Sequence, residues 1–268
     1  MRFACLQFDI VWEDKAANYA VIERMLNDAR PAIEPGAFVL IPELGDTGFS
    51  MNLEHIVDDR SLPWAVDLAK RRGIFLQHGF ARKIAASTPS GRNCAVIISP
   101  DGEVLADYEK VHPFSYGREA DRYSGGDHLA IARCTNINIC PLICYDLRFP
   151  ELWRLATVNQ LPAEVFAIGA SWPAPRQHHW RALCIARAVE NQAFVVACNR
   201  CGRDPHLAYA GGSLIISPTG DIIAEARHLP MVLQGEIAIE ALHAWREEFP
   251  ALRDAQRELL GRTRIEAR

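Results

Sequence analysis

Ile97-Ile98-Ser99-Pro100-Asp101-Gly102-Glu103 and Ile215-Ile216-Ser217-Pro218-Thr219-Gly220-Asp221 are two copies of one pattern. In each, a strand-like pair runs into a Pro-x-Gly turn, which is hairpin chemistry. One copy in each half of the chain predicts two similar sheet-plus-hairpin units, and so two sheets facing each other. Such hairpins also arise independently, so the remainder of the chain has to carry the same alternation. It does. Strand-like runs cover residues 3–10, 37–41, 74–80, 94–99, 104–108, 137–144, 165–169, 194–199, 214–217 and 231–239. Between them, residues 15–29, 61–72, 150–158 and 176–190 have helical spacing, and the tail from 250 to 260 reads as helix. Ser61 is placed to cap the second of these helices, with Pro63 in its first turn. Alternation of this kind predicts a layered α/β fold. No linker or charge run divides the halves, so residues 1–268 read as a single domain.

A chain of 268 residues buries roughly 70–75% of its unfolded surface, enough for a large core. With 49% hydrophobic and 23% charged residues, the composition is that of a globular protein. A net charge of −4 gives no reason to expect nucleic acid or an anionic membrane as partner, leaving a small molecule as the default. The opening apolar run is broken by Asp9, Glu13 and Asp14, which argues against a signal peptide, and no stretch approaches the roughly 18–20 apolar residues of a membrane span. Eight cysteines lie at irregular positions, most of them in apolar runs, which predicts reduced thiols and a cytoplasmic protein. Cys198 and Cys201 have metal-ligand spacing without a second pair, and His178 and His179 have no acidic partner. No metal is expected.

Three strand ends carry the chemistry. Ile139-Cys140-Pro141-Leu142-Ile143-Cys144-Tyr145-Asp146-Leu147-Arg148-Phe149-Pro150-Glu151 passes from a buried strand through a polar turn into a helix. Cys140 lies within the strand, where cysteine behaves as a small hydrophobe. Cys144 lies at the elbow, where a helix N-terminus and backbone N–H groups lower a thiol's pKa and receive an oxyanion. Glu43 directly follows a buried strand and precedes a Gly-rich turn ending at Phe49, a position suited to a general base. Lys110 ends another strand and opens a polar loop, where a fixed cation would stabilise a carbonyl oxygen. Glu119 in that loop is placed to orient either Lys110 or an attacking water, and His112 to buttress the loop or act as a base. Each residue alone has an ordinary reading: a buried cysteine, a capping glutamate, a surface lysine.

Pro42-Glu43, Lys110-Val111-His112-Pro113-Phe114 and Cys144-Tyr145-Asp146-Leu147-Arg148-Phe149-Pro150-Glu151 together resemble the nitrilase, or carbon–nitrogen hydrolase, superfamily, in order and spacing over nearly the whole chain. The resemblance implies a four-layer α-β-β-α sandwich of two facing mixed sheets flanked by helices. It implies a catalytic triad of Glu43, Lys110 and Cys144, with Glu119 as an accessory glutamate. The oxyanion hole would be Lys110 and the backbone N–H of Tyr145. It further implies a homodimer or higher homo-oligomer and no cofactor. The product would be ammonia, released through a cysteine thioester.

Gly169-Ala170-Ser171-Trp172-Pro173-Ala174-Pro175-Arg176-Gln177-His178-His179-Trp180 follows a strand and opens a helix. Arg176 there suits a substrate carboxylate or, equally, an ion pair with a neighbouring acid. Trp172 offers an apolar pocket face or simple packing with Trp180, and Phe49 and His112 complete the expected substrate-binding set. With residues 186–193 and 198–200, this stretch resembles the ω-amidase branch, whose members act on 2-oxoglutaramate and related monoamides. Pro113 and residues 115–118 depart from that branch, which leaves open another amidase or an N-carbamoyl amidohydrolase. A catalytically silent binding protein is the reading from outside the class, and it would predict a missing triad member.

Overall fold

The computed structural model describes residues 1–84, 89–256, 258 and 264–267. The strands are β1 (Arg2–Gln7), β2 (Phe38–Leu40), β3 (Phe75–Lys83), β4 (Gly91–Ile98), β5 (Val104–Glu109), β6 (His128–Cys134), β7 (Ile137–Ile143), β8 (Val165–Ala170), β9 (Phe194–Asn199), β10 (Cys201–Arg203), β11 (Ala208–Ala210), β12 (Leu214–Ile216), β13 (Ile222–Glu225), β14 (Met231–Glu236) and β15 (Arg264–Ala267). The α-helices are α1 (Lys15–Asp28), α2 (Leu53–Ile56), α3 (Ser61–Arg72), α4 (Pro150–Thr157), α5 (Gln177–Asn191) and α6 (Ile239–Glu248).

A six-stranded sheet has the order β14-β1-β2-β3-β4-β5, and a seven-stranded sheet the order β13-β12-β9-β8-β7-β6-β15. Both follow one plan. An antiparallel strand (β14 or β6) is followed by three parallel strands (β1-β2-β3 or β7-β8-β9) and an antiparallel hairpin (β4-β5 or β12-β13), and in the second sheet β15 adds a parallel strand outside β6. The repeated turn motif forms both hairpins in the same way: the serine backbone N–H donates to the carbonyl of Glu103 or Asp221, and the serine hydroxyl accepts from that residue's own N–H.

Successive residues of a strand face opposite ways, so a strand covered on both faces must be apolar throughout. In β1, Phe3 and Cys5 point between the sheets with Phe38, Leu40, Ile97, Ile143, Ala167 and Val196, while Phe166 faces Trp153 on the other side of the second sheet. Ala4 and Leu6 point the other way, against Ile22 and Leu26 of α1 and Leu68 of α3. On the far side, Trp153 of α4 and Trp180, Cys184 and Ala188 of α5 cover the second sheet. The order is helix, sheet, sheet, helix, as expected.

Several expectations need correction. Ser61 is the first residue of α3, whose N-cap is Arg60, and its hydroxyl donates to buried Asp46 at 2.6 Å. The run at 231–239 is a strand only to Glu236; Ile239 and Leu242 then form the buried face of α6, which the strand-like composition hid. In the tail, the structure has a 3₁₀ turn at Ala251–Asp254 in place of the expected helix over 250–260, and residues 257, 259 and 260 lie outside the described set. Among the described residues, no helix is long and apolar enough to cross a membrane.

Candidate active site

In open α/β sheets, ligands bind beyond the carboxyl ends of the parallel strands. That is where Glu43 (after β2), Cys144 (after β7) and Ser171 (after β8) lie, with Lys110 arriving from β5. Cys144 has a φ of +42° and opens a 3₁₀ turn, Cys144–Arg148, before α4 starts at Pro150. This left-handed backbone sharpens the elbow, turning the thiol away from the strand axis at a cost that non-glycine residues normally avoid.

The other groups form a closed ring beside it. Lys110 Nζ donates to Glu43 Oε1 at 2.7 Å and to Glu119 Oε2 at 2.8 Å. Asn93 Nδ2 donates to Glu43 Oε1 and to Glu119 Oε1, both at 2.8 Å. The other oxygen of Glu43, Oε2, accepts from the backbone N–H of Ser171 at 3.0 Å. All four side chains are buried, and hydrogen bonding offsets the cost of burying their charge. Burial alone would push the lysine down, but the carboxylates of Glu119 and Glu43 hold it well above its ordinary range, so it stays an ammonium.

The thiol differs from expectation. Burial first, and then the negative charge of Glu43, raise Cys144 well above the ordinary thiol range; Lys110 and the Ser171 N–H oppose them without prevailing. The turn after Cys144 is a short 3₁₀ segment, so no α-helix N-terminus is aimed at the sulfur. At neutral pH the group is a thiol, and it needs a base at the moment of attack.

The cavity in front of the thiol has a volume of about 830 Å³. Glu43, Lys110, Cys144, Tyr145, Phe49, Trp172 and Arg176 all line it. Phe49 lies under Lys110 Nζ, 5.4 Å from ring centroid to nitrogen. Glu119 and His112 are not on the cavity wall. Both Glu119 oxygens are engaged, one by Asn93 and one by Lys110 and the Phe114 N–H, which fits orientation of the lysine. His112, expected to bind substrate, instead bonds Asp146 through Nδ1 at 3.0 Å and stacks on Phe149 at 3.6 Å. Its imidazole braces the loop.

Asp146 is the centre of that brace. It is fully buried and accepts from Tyr108 Oη, the backbone N–H groups of His112 and Ile143, and the His112 ring. Asp146→Ala would strand these donors, so a loss of about 3–5 kcal/mol is expected on the scale of a broken buried pair. Urea unfolding at pH 7 measures it; a loss under about 1 kcal/mol would mean the brace is dispensable.

Sequence reasoning passed over Asn93 and Arg148. Arg148 lines the cavity, with its guanidinium 4.8 Å from the Trp172 ring centroid and Nη2 3.2 Å from His179 Nδ1. Arg176 lies over Phe114 and Tyr116, at 5.7 and 5.5 Å. Among the described residues, neither arginine has a carboxylate partner. Loss of solvent and the neighbouring cations His178, Arg148 and Arg176 hold His179 below its usual range, consistent with its accepting a hydrogen bond from Arg148. Trp172 both lines the cavity and packs on Trp180, at 5.6 Å between centroids. The Cys198–Cys201 pair and His178/His179 form no metal-holding cluster among the described residues.

Comparison with known proteins agrees with this geometry. The family model for carbon–nitrogen hydrolases matches residues 2–247. The omega-amidase YafV of Escherichia coli K12 is 35% identical over 260 residues, spanning 95% of this chain and 96% of that protein. The 2-oxoglutaramate amidase of Bacillus subtilis is 33% identical over 261 residues, spanning 96% and 98%. A crystallised CN-hydrolase superfamily protein of Xanthomonas campestris superposes with a TM-score of 0.86 at 29% identity, covering 96% of this chain and 97% of that one.

Proposed function

The chain belongs to the carbon–nitrogen hydrolase family and is an amidase, and on that footing we propose that Cys144 attacks a small ω-amide carrying a distal carboxylate. The observation that carries the chemistry is the ring of Glu43, Lys110 and Glu119 beside a thiol that burial keeps protonated.

Glu43 takes the thiol proton as Sγ bonds to the amide carbon, and the carbonyl π electrons move to oxygen. Two of the three Lys110 hydrogens are committed to carboxylates, leaving one for that oxyanion. The Tyr145 backbone N–H, second in the turn, is the other donor, with no carbonyl three residues back inside the turn to occupy it. The proton on Glu43 passes to nitrogen as the C–N bond breaks, and ammonia leaves a thioester. Water then attacks, Glu43 takes its proton, and collapse releases the acid and returns the proton to sulfur.

Substrate choice follows from the two arginines, whose guanidinium partners are aromatic faces and an imidazole. A carboxylate entering the cavity meets cations that no protein acid has neutralised. With the names of its relatives, this favours 2-oxoglutaramate, succinamate and similar monoamides as substrates. Arg176→Ala and Arg148→Ala are each expected to lower kcat/KM for succinamate about 10²-fold, on the scale of a lost charge-assisted hydrogen bond, and for a neutral amide less than about threefold. Ammonia release from both substrates measures it, and an equal fall for both would make the arginine structural. Release of carbon dioxide with ammonia from carbamoyl compounds would favour an N-carbamoyl amidohydrolase instead.

The same reading includes one domain across the chain, supported by the shared core between the sheets. It also includes a cytoplasmic setting, supported by eight buried free cysteines. Self-association as a homodimer or higher homo-oligomer through the helices beside the nucleophile completes it, with half-exposed Val189 of α5 as the apolar contact, and sedimentation analysis tests it.

A further inference from the structure

Asn93 has no assigned part in the reaction, yet its side chain bonds both carboxylates of the ring. It is buried at 2% exposure, and its carbonyl accepts from the backbone N–H of Lys110 at 2.9 Å. Both hydrogens of its amide are used, one on each carboxylate. Its Oδ1 is buried with no hydrogen-bond partner. Turning the amide over would satisfy nothing and would set that oxygen against two carboxylates, so its orientation is fixed.

We propose that Asn93 is a positioning residue which, by serving Glu43 Oε1 and Glu119 Oε1 together, saturates one oxygen of the base and leaves Glu43 Oε2 as the atom that takes the Cys144 proton. This rests on Glu43 being the base. Glu43 Oε1 already holds Lys110 and Asn93, two strong donors, and its electron density is committed. Oε2 holds a single backbone N–H, that of Ser171, the same group that neighbours the thiol. The carboxylate is thus divided into a held oxygen and a working one.

The neutrality of Asn93 is as important as its two donors. One ammonium faces two carboxylates, so the ring carries a net negative charge. A second cation in the place of Asn93 would cancel that charge and weaken the base, and an aspartate would add a third carboxylate. An amide supplies two donors and no charge. The other titratable groups facing Glu43 are Cys144, Tyr123 and Tyr209; Tyr123 and Tyr209 donate their hydroxyl hydrogens to Ser50 O and Asp204, so neither can replace the lost donor.

The test is the pH profile of kcat/KM for succinamate with Asn93→Ala and Asn93→Ser. Hydrogen bonds to a carboxylate favour its charged form, so their loss moves the acid limb to higher pH. For Asn93→Ala the expected result is a shift of about one pH unit, with kcat lowered about 10–100-fold and KM changed less than about threefold. Asn93→Ser retains one donor and is expected to shift the limb about half as far; being polar at a polar site, it carries the measurement if the alanine variant does not fold. A uniform fall in kcat with the acid limb unmoved would make Asn93 a structural residue and overturn the proposal. Glu43→Gln separates the two failures. If that variant keeps wild-type turnover, the assignment of the base is wrong; if it is inactive while the Asn93 limb stays in place, only the division between the two oxygens is wrong.

Discussion

Cys144→Ala is expected to lower ammonia release by roughly 10⁴–10⁶-fold, to the level that binding and oxyanion stabilisation alone can support. The fold should persist, because the change deletes one sulfur atom at the end of a strand already fixed on both sides. β7 pairs with β6 and β8, and the turn beyond it is held by Asp146 and by the Trp153 indole, which donates to the Asp146 carbonyl at 3.1 Å. Cys144→Ser is expected to be almost as inactive. Burial and Glu43 already hold the thiol well above its usual range, and an alcohol starts several units higher, beyond what one carboxylate can deprotonate. Steady-state ammonia assays with thermal melts of both variants measure the effect. A Cys144→Ala protein releasing ammonia at the wild-type rate would refute the nucleophile assignment.

Lys110→Met is expected to be the most damaging change to activity and stability together. Methionine retains most of the stem and removes the cation held between Glu43 and Glu119, each within 2.8 Å of it. Two buried carboxylates would then keep only neutral donors, the Asn93 amide and the backbone N–H groups of Ser171 and Phe114. Removing one partner of a buried ion pair costs about 3–5 kcal/mol. For a chain of this size that lowers Tm by roughly 10 °C. Loss of the oxyanion donor adds about 10²–10³-fold to the fall in kcat. The remaining repulsion is relieved when one carboxylate takes up a proton, so the stability gap from wild type should be widest at neutral pH and narrow as the pH falls. Melts between pH 5 and 8 test this; a gap that does not vary with pH would mean that the lysine does not offset repulsion between the two carboxylates.

Much of the frame could be read from short stretches, because strand ends are local features. The Pro-x-Gly turns at Pro100 and Pro218 gave the two matching hairpins, and Glu43, Lys110 and Cys144 stood out as polar residues immediately beyond apolar runs. Asn93 could not be found in this way. It is near the start of β4, and its link to Glu43 depends on β3 lying between β2 and β4, an order that no local pattern encodes. Arg148 was visible four residues past Cys144, but which way it points is decided by a left-handed residue and a 3₁₀ turn. The direction of the thiol's shift was misread for a related reason: a helix was expected directly at the elbow, and burial prevails where that helix is missing. His112 lies next to the right residue in sequence and faces Asp146 and Phe149 in space.

The matched plans of the two sheets have a consequence for how the work is apportioned. Glu43, Asn93, Lys110 and Glu119 all come from the first sheet and its following loop, and Cys144, Arg148, Ser171 and Arg176 from the second sheet and its helices. Under the proposed mechanism and substrate class, the first half holds and moves the proton, and the second half forms the bond and grips the far end of the substrate. Turnover therefore depends on the seam between two similar units keeping its alignment to within a hydrogen bond, with Ser171 N–H to Glu43 Oε2 as the tie that reaches the base itself and Tyr108 to Asp146 as another across it. New substrate preferences could then arise by changes to the second unit alone, with the proton-handling half left as it is.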